Sequence, residues 1–251
     1  MADPRLEVID RRIAEAKRIV AVSSGKGGVG KSMIATTLAL TLRQKGYSVG
    51  LLDLDFTSPS THVILGVEDL QPKEEKGIIP PLAHGLRYMS IVYYAMDEPA
   101  PLRGVDVSNA IIELMAITRW GELDYLVIDT PPGIGDATLD MIRLTRGIQF
   151  LLVTTPSRVA FETVRKLLEL LRGLGVPVIG VVENMVMRPS GRIRGLFEEA
   201  GAPNLGVIAY DPEIEDALGD VDRLMKTGFA ETMAGVASEV ERLTLMRRPM
   251  A

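Results

Sequence analysis

The stretch "GKGGVGKS", residues 25–32, holds four glycines and two lysines directly after the apolar run "RIVAVSS" (18–24). Its Gly-x-x-x-x-Gly-Lys-Ser spacing is the pattern of a phosphate-binding loop, in which backbone N–H groups and a helix N-terminus converge on phosphate oxygens. Lys31 is expected to reach the β- and γ-phosphates of a nucleoside triphosphate, and Ser32 to offer its hydroxyl to Mg²⁺. The predicted nucleotide-binding segment comprises Gly25, Lys26, Gly27, Gly28, Val29, Gly30, Lys31, Ser32 and Met33. Lys26 needs a separate explanation, because Lys31 already serves these phosphates from the same loop.

Aspartates end two apolar runs further along the chain. "LLDLDF" carries Asp53 and Asp55, and "YLVIDTPPG" carries Asp129. Hard cations such as Mg²⁺ take oxygen ligands, so these carboxylates are the candidates to complete a metal–nucleotide site. One aspartate at a strand end is often only a turn or N-cap residue. Three of them at two strand ends, beside a phosphate loop, favour the functional interpretation.

The elements that must position these residues alternate along the chain. Seven apolar, β-branched runs are predicted strands: 18–24, 48–55, 86–91, 124–130, 148–155, 176–184 and 204–209. Segments 31–46, 108–121 and 157–175 have helical spacing. Continuously apolar strands alternating with helices predict an α/β fold of three layers, a mostly parallel sheet with helices on both faces. In such sheets, ligands bind beyond the carboxyl ends of the strands, where the phosphate loop and the aspartates lie.

Two further predictions concern the domain organisation of the chain and its longest irregular segment. We expect a single domain over residues 1–251, with residues 1–16 as an N-terminal helical extension. The segment 69–85, "DLQPKEEKGIIPPLAHG", is rich in proline, glycine and charge, and is predicted to be an exposed loop.

Composition narrows the classes of function. The 251 residues are 47% hydrophobic and 24% charged, with a formal net charge of -5, which disfavours a chain built to neutralise nucleic acid. There is no cysteine, so disulfides, thiolate nucleophiles and self-supplied cysteine-ligated clusters are excluded. The two histidines, His62 and His84, are expected to be surface or loop residues. The charged N-terminus and the lack of a long apolar run predict a cytoplasmic protein.

Three motifs together resemble those of the deviant Walker A ATPases: "SSGKGGVGKS", "LLDLDFTSPS" and "YLVIDTPPGIGD". The resemblance implies a P-loop NTPase fold, ATP and Mg²⁺ as ligands, and a homodimer whose subunits face each other across the nucleotide. It also implies a role for Lys26: the signature lysine of this class reaches into the partner's site and acts like an arginine finger supplied in trans. Met33 departs from the small or β-branched residue that is usual there.

The sequence is most similar to the Mrp/Nbp35 branch, the iron–sulfur carrier ATPases, over most of its length. The pieces that carry this resemblance are "KRIVAVSSGKGGVGKS" (17–32), "DTPPGIGDATLDM" (129–141), "LLVTTPSRVAFETVRK" (151–166), "VIGVVENM" (178–185) and "DPEIEDA" (211–217). By resemblance, Asp129 contacts the Mg²⁺ shell with Ser32, directly or through water, and Asp53 lies beside Asp55 in the first switch as a further metal residue. Asp55 orients the attacking water. Asn184 hydrogen-bonds the adenine edge, and Asp211 and Pro212 lie near the base.

One departure from that branch concerns function. Carriers of this type place a Cys-x-x-Cys pair shortly after "ENM", whereas this chain reads "ENMVMRPSGRIRGLFEEAG". Its arginines, Arg188, Arg192 and Arg194, have no lone pair with which to ligate iron. An iron–sulfur cluster held by this chain is therefore in doubt.

Three explanations stay open at this point. The chain pairs with a cysteine-bearing homologue or an iron–sulfur apoprotein; it has become a cluster-free switch of the MinD/ParA type that acts on a protein, DNA or a membrane; or it holds clusters through unusual oxygen ligands. In the switch interpretation "RPSGRIRG" is a docking loop. The end of the chain, "EVERLTLMRRPMA", is too short in apolar surface and in charge for a strong membrane-binding tail.

Overall fold

The structure, a computed structural model, describes residues 3–95, 105–188 and 192–246. It contains ten strands: Ile19–Ser24 (β1), Val49–Asp53 (β2), Lys73–Glu74 (β3), Ile78–Ile79 (β4), Leu82–Ala83 (β5), Leu86–Ser90 (β6), Tyr125–Asp129 (β7), Ile148–Thr154 (β8), Val178–Val186 (β9) and Asn204–Ala209 (β10). The helices are Arg5–Ile13 (α1), Lys31–Gln44 (α2), Thr61–Leu65 (α3), Val92–Ala95 (α4), Val105–Ile117 (α5), Asp136–Leu144 (α6), Arg158–Gly173 (α7), Arg192–Glu199 (α8), Glu213–Ala217 (α9), Val221–Leu224 (α10) and Gly228–Met246 (α11).

Eight of the strands form one sheet in the order β10-β9-β8-β1-β7-β2-β6-β5. All neighbouring pairs are parallel except β5 and β6. The phosphate loop follows β1 near the middle of the sheet, and β7 and β2 come next in order. The register aligns Asp129 with both Val22 and Asp53, so the two predicted carboxylates end adjacent strands at the same level.

Hydrophobic cores on both faces of the sheet fix this arrangement. On one face, α2 and α11 pack on the strands, with Leu38 and Val236 among the buried side chains. On the other face, α1, α5, α6 and α7 bury a second cluster that includes Ile9, Trp120 and Phe150. Strands covered on both faces need apolar side chains at nearly every position, which explains why they read as continuous apolar runs. The expected three-layer α/β fold is confirmed.

The seven predicted strands and three predicted helices are all present, with ends that differ by a few residues. The segment 69–85 differs from its prediction as a loop: β3 and β4 pair there as a small antiparallel ribbon, and β5 adds an antiparallel edge to β6. Two-residue strands are too short to produce a periodic pattern, so the sequence could not indicate them.

Two further segments bear on the predictions. The expected N-terminal extension is the helix α1, which buries Ile9 and Ile13. The basic segment predicted as a docking loop is helical from Arg192 onward, while residues 189–191 lie outside the described part of the chain. Across residues 3–95, 105–188 and 192–246, no helix is both long and apolar enough to span a bilayer.

Candidate nucleotide site

The phosphate loop adopts a backbone that requires glycine at specific positions. Gly28 and Gly30 have φ angles of 76° and 81°, in the left-handed region that glycine enters without strain. A Cβ on Gly30 would lie 2.3 Å from the Asn184 amide nitrogen, and one on Gly25 would lie 2.4 Å from the Thr163 hydroxyl. The loop is therefore packed tightly between α7 and the end of β9, and α2 begins at Lys31 with its N-terminus directed at the loop.

Lys31 lies among the carboxylates that end the neighbouring strands. Its ammonium donates to Asp129 Oδ1 at 2.6 Å and lies 3.5 Å from Asp55 Oδ2. The lysine is only 6% exposed and Asp129 is fully buried. A buried charge is stable only when it is paired, so these two carboxylates supply the counter-charge of Lys31.

Asp129 is the carboxylate best placed to face a metal. Its second oxygen, Oδ2, is buried and has no hydrogen-bond partner among the described residues. An unpartnered buried carboxylate oxygen is costly unless a ligand or water meets it. The Ser32 hydroxyl lies 3.4 Å from the same Lys31 ammonium. Within the described chain no three histidine, aspartate or glutamate side chains form a metal cage. Ser32 and Asp129 therefore fit Mg²⁺, which binds through one or two protein groups together with substrate phosphates.

Burial raises the pKa of the Asp129 carboxyl to about 7; Lys31 lowers this pKa and Asp53 raises it. A carboxyl whose pKa is raised on folding holds a proton that the unfolded chain has released, so its contribution makes stability fall as the pH rises from about 4 to about 7. In Asp129→Asn this loss is absent. The variant's free energy of unfolding relative to wild type should therefore improve by about 1–3 kcal/mol between pH 5 and pH 8. Urea denaturation of the nucleotide-free proteins at both pH values measures this difference.

Asp124→Asn is the matched control. Lys17 and the Ser48 N–H hold the pKa of the Asp124 carboxyl below its usual range. Its stabilising effect is therefore complete above the unfolded-state pKa, and the cost of this substitution should be the same at pH 5 and pH 8. If the difference between Asp129→Asn and wild type were equally independent of pH, the raised pKa of Asp129 would be refuted.

Asp55 lies in a tight turn beside Lys31. Its Oδ1 accepts hydrogen bonds from the Thr57 hydroxyl at 2.6 Å and from the backbone N–H groups of Thr57 and Ser58, both at 3.2 Å. Its Oδ2 faces Lys31. The turn holds the carboxylate in one orientation at the edge of the phosphate site, which suits a group that orients a reactant.

Asp53 is held by the protein at both of its carboxylate oxygens. Its Oδ1 accepts from the Asp55 N–H at 3.0 Å, and its Oδ2 accepts from the Thr61 hydroxyl at 2.6 Å and from the Thr61 N–H at 3.3 Å. Asp53 is completely buried, and both oxygens are engaged by the protein. This arrangement favours a positioning role for Asp53 over direct metal ligation, and it leaves Asp129 as the carboxylate with an open oxygen.

Lys26 is exposed, unlike Lys31. The Ser24 hydroxyl donates to the Lys26 carbonyl at 2.9 Å and fixes the start of the loop. The Lys26 side chain is therefore accessible from solvent, which the predicted role across a dimer requires.

One pocket is lined by the residues that were predicted to lie near the nucleotide base. Its volume is about 250 Å³, and its walls include Gly30, Met33, Asn184, Asp211 and Pro212. The Asn184 Nδ2 donates to the Val29 carbonyl at 2.9 Å, so this amide also ties β9 to the phosphate loop. Asp211 turns its carboxylate to the backbone N–H groups of Glu213 and Phe229, at 3.0 and 3.4 Å. It shapes the pocket through the backbone.

Several residues of the site were not indicated by the sequence. Met185 and Tyr210 line the base pocket, and Met185 has a φ of 58°, which is unusual for a side chain of its size. The Thr61 hydroxyl donates to Asp53, and the Tyr88 hydroxyl is hydrogen-bonded to Thr61. Only Thr61 carried a local signal, because a threonine after "SPS" often begins a helix. The others are identified only by the fold that brings them together.

The chain is similar to known proteins over most of its length. Residues 15–240 match the sequence model of the ParA group described as the NUBPL iron-transfer P-loop NTPase. An iron–sulfur cluster carrier protein of Pseudomonas fragi is 43% identical over 246 residues, which cover 93% of this chain and 86% of the relative. The carrier protein of Aquifex aeolicus is 37% identical over 222 residues, but the match spans only 61% of that relative.

A solved structure also matches: the nucleotide-binding protein of Archaeoglobus fulgidus in complex with ADP. It is 29% identical with a TM-score of 0.76, and the match covers 90% of this chain and 95% of that chain. The sequence model and the two relatives each cover more than two thirds of this chain. The chain belongs to the ParA/NUBPL family of iron-transfer P-loop NTPases.

Proposed function

We propose that this protein is a Mg²⁺-dependent ATPase of iron–sulfur cluster assembly, one that drives a nucleotide-dependent dimer but does not hold the cluster with its own side chains. The observation that carries the proposal is the buried Lys31, set between Asp129 and Asp55 at the mouth of a complete phosphate loop. The family of the chain supports the link to cluster assembly. The absence of cysteine supports the proposal that a partner supplies the ligands of the cluster.

ATP binding exchanges the partners of Lys31. The lysine leaves Asp129 and Asp55 for the β- and γ-phosphates, and the glycine-rich backbone donates its N–H groups to the same oxygens. Mg²⁺, held by Ser32 and Asp129, would supply charge stabilisation at the phosphates when bound. The adenine occupies the pocket beside Asn184, whose Nδ2 donates to the Val29 carbonyl. The Asn184 side-chain oxygen can then accept from the adenine amino group.

Hydrolysis is the in-line attack of water on the γ-phosphate. The Asp55 carboxylate, fixed by its turn, orients that water. Charge on the γ-phosphoryl group and on the ADP leaving group is stabilised by Lys31 of the same subunit and by Lys26 of the second copy.

Because one of these lysines comes from the other subunit, basal turnover should be slow until the dimer forms. A high ATPase rate in dilute monomer would contradict this account.

The iron–sulfur cluster is then cargo that needs thiolates from elsewhere. Cluster iron takes cysteine sulfur, and none of the 251 residues is a cysteine. The partner that supplies the ligands is a cysteine-bearing homologue or an iron–sulfur apoprotein. The second candidate function, a cluster-free switch of the MinD/ParA type, rests on the same absence. The net charge of -5 does not favour its DNA-binding or anionic-membrane versions.

Anaerobic reconstitution with iron and sulfide tests the proposal. The protein alone should retain almost no iron per dimer, with or without ATP, because it lacks thiolate ligands. A cysteine-bearing member of the family, treated in parallel, is the positive control. Stoichiometric iron on this chain alone would contradict the proposal that a partner supplies the ligands of the cluster.

Cluster transfer from that cysteine-bearing carrier to an apo-ferredoxin then separates the two candidate functions. Addition of this protein with ATP should accelerate transfer, and the Lys31→Ala variant should not. Unchanged transfer, together with normal ATPase activity, would favour the cluster-free switch.

A further inference from the structure

Tyr88, on β6, is connected by hydrogen bonds to Asp53, the residue that precedes the loop carrying Asp55. Its hydroxyl lies 2.8 Å from the Thr61 hydroxyl, which in turn lies 2.6 Å from Asp53 Oδ2. The Thr61 hydroxyl donates its single proton to Asp53 Oδ2. With that proton engaged, Thr61 accepts from the Tyr88 hydroxyl. The chain of bonds runs in one direction, from the phenol to the carboxylate.

Asp53 uses this support to close the loop that contains Asp55. One oxygen accepts the Asp55 N–H at the start of the loop, and the other accepts the Thr61 N–H and hydroxyl at its end. A single side chain thus holds both ends of residues 54–60. Asp55, which faces Lys31, lies within this closed segment.

The whole connection is shielded from water. Asp53, Thr61 and Tyr88 are all fully buried. Inside a protein, hydrogen bonds of this kind are stronger than in water, and breaking one leaves a buried polar group without a partner. The position of the loop therefore depends on the phenol, although no hydrogen bond among the described residues joins Tyr88 to Lys31 or to the phosphate loop.

We propose that Tyr88 and Thr61 are positioning residues for hydrolysis, which fix the Asp55 carboxylate by holding Asp53 as a clamp across residues 54–60. This inference rests on the proposed ATPase function for its kinetic consequence, but its structural consequence can be measured without any activity. It assigns to Asp53 the task of closing the loop, and to Tyr88 the task of holding Thr61 in the orientation that donates to Asp53.

Hydrogen exchange of the nucleotide-free protein tests the structural part. Tyr88→Phe removes only the hydroxyl and keeps the ring that packs edge-on against Tyr93. Peptides covering residues 54–61 should exchange at least about fivefold faster in this variant, because the loop opens more often. Tyr47→Phe is the control: it also loses a phenol hydrogen bond, to Glu241, which is partly buried and lies on another part of the fold, and it should leave these peptides unchanged.

Kinetics test the functional part. Tyr88→Phe and Thr61→Val should lower kcat about tenfold while the affinity for ATP changes less than about twofold, since a misplacement of the order of 1 Å affects the reacting geometry and not ground-state binding. Thr61→Ser keeps the hydroxyl and should restore most of kcat. Should Tyr88→Phe fail to fold, the pair of Thr61 variants decides the question.

The outcomes are distinct. Faster exchange with a selective loss of kcat supports the inference. Unchanged exchange over residues 54–61, or a loss shared equally by Thr61→Val and Thr61→Ser, overturns it. If the wild-type protein has no ATPase activity, the proposed function fails, while the exchange experiment still decides whether Tyr88 holds the loop.

Discussion

Lys31→Ala should weaken ATP binding at least about 100-fold, because it removes the charge-assisted bonds to the phosphates, each worth about 1.5–3 kcal/mol. A second effect acts in the same direction. In the wild type the Lys31 ammonium neutralises Asp129 at 2.6 Å and approaches Asp55 at 3.5 Å. Without it, two buried carboxylates face the incoming phosphates with no cation between them. Isothermal titration with a non-hydrolysable ATP analogue measures the loss.

Lys17→Ala is the control for this variant. Lys17 is an exposed lysine that pairs with Asp124 at 2.8 Å, away from the phosphate loop. Its removal should leave the affinity for nucleotide unchanged. Tight binding of the analogue by Lys31→Ala would mean that residues 25–32 are not the phosphate site.

Lys26→Ala should separate binding from hydrolysis. Because the Lys26 side chain is exposed, its loss should change the affinity of a monomer for ATP less than about threefold, the size of effect expected for a surface charge. Hydrolysis should fall at least about 100-fold, as it does when a charge supplied across an interface to phosphoryl transfer is removed. ATP-dependent dimerisation, followed by light scattering, should be lost with it.

An exposed lysine elsewhere supplies the comparison for Lys26. Lys73 lies on the small β3–β4 ribbon and is also exposed. Lys73→Ala changes the net charge by the same amount and should preserve both turnover and dimerisation. If the Lys26→Ala variant hydrolysed ATP at the normal rate, Lys26 would not be a group that acts across the dimer.

Much of the fold and the core of the site could be predicted from the sequence. Continuous apolar runs identify buried parallel strands, and the glycine and lysine spacing identifies the phosphate loop independently of the rest of the chain. Asp129 could be placed because it ends an apolar run whose neighbours in the sheet end at the same edge. These predictions depend only on local pattern and on the rule for parallel sheets.

What the sequence could not predict depends on distances between elements. Nothing local distinguishes Asp53, whose oxygens are both engaged by the protein, from Asp129, whose Oδ2 is left open. The partnership of Tyr88 with Thr61 joins residues 27 positions apart. The bond from Asn184 to Val29 joins residues 155 positions apart. Such contacts exist only once the strand order is set.

If Lys26 completes the site of the other subunit, a mixture of two inactive variants should recover ATPase activity. Lys26→Ala lacks the lysine that acts in trans, and Asp55→Asn lacks the group that orients water. In a mixed dimer, the Lys26→Ala subunit keeps its own Asp55 and receives Lys26 from its partner, so one complete site forms.

ATPase activity of the equimolar mixture is the measurement. Recovery is expected to rise well above the rate of either variant alone, up to about a quarter of the wild-type rate. That limit is reached when the subunits pair at random, because half of the dimers are then mixed and each mixed dimer has one working site of two. A mixture no more active than its separate components, under conditions in which both variants bind ATP and mixed dimers form, would contradict a lysine acting in trans.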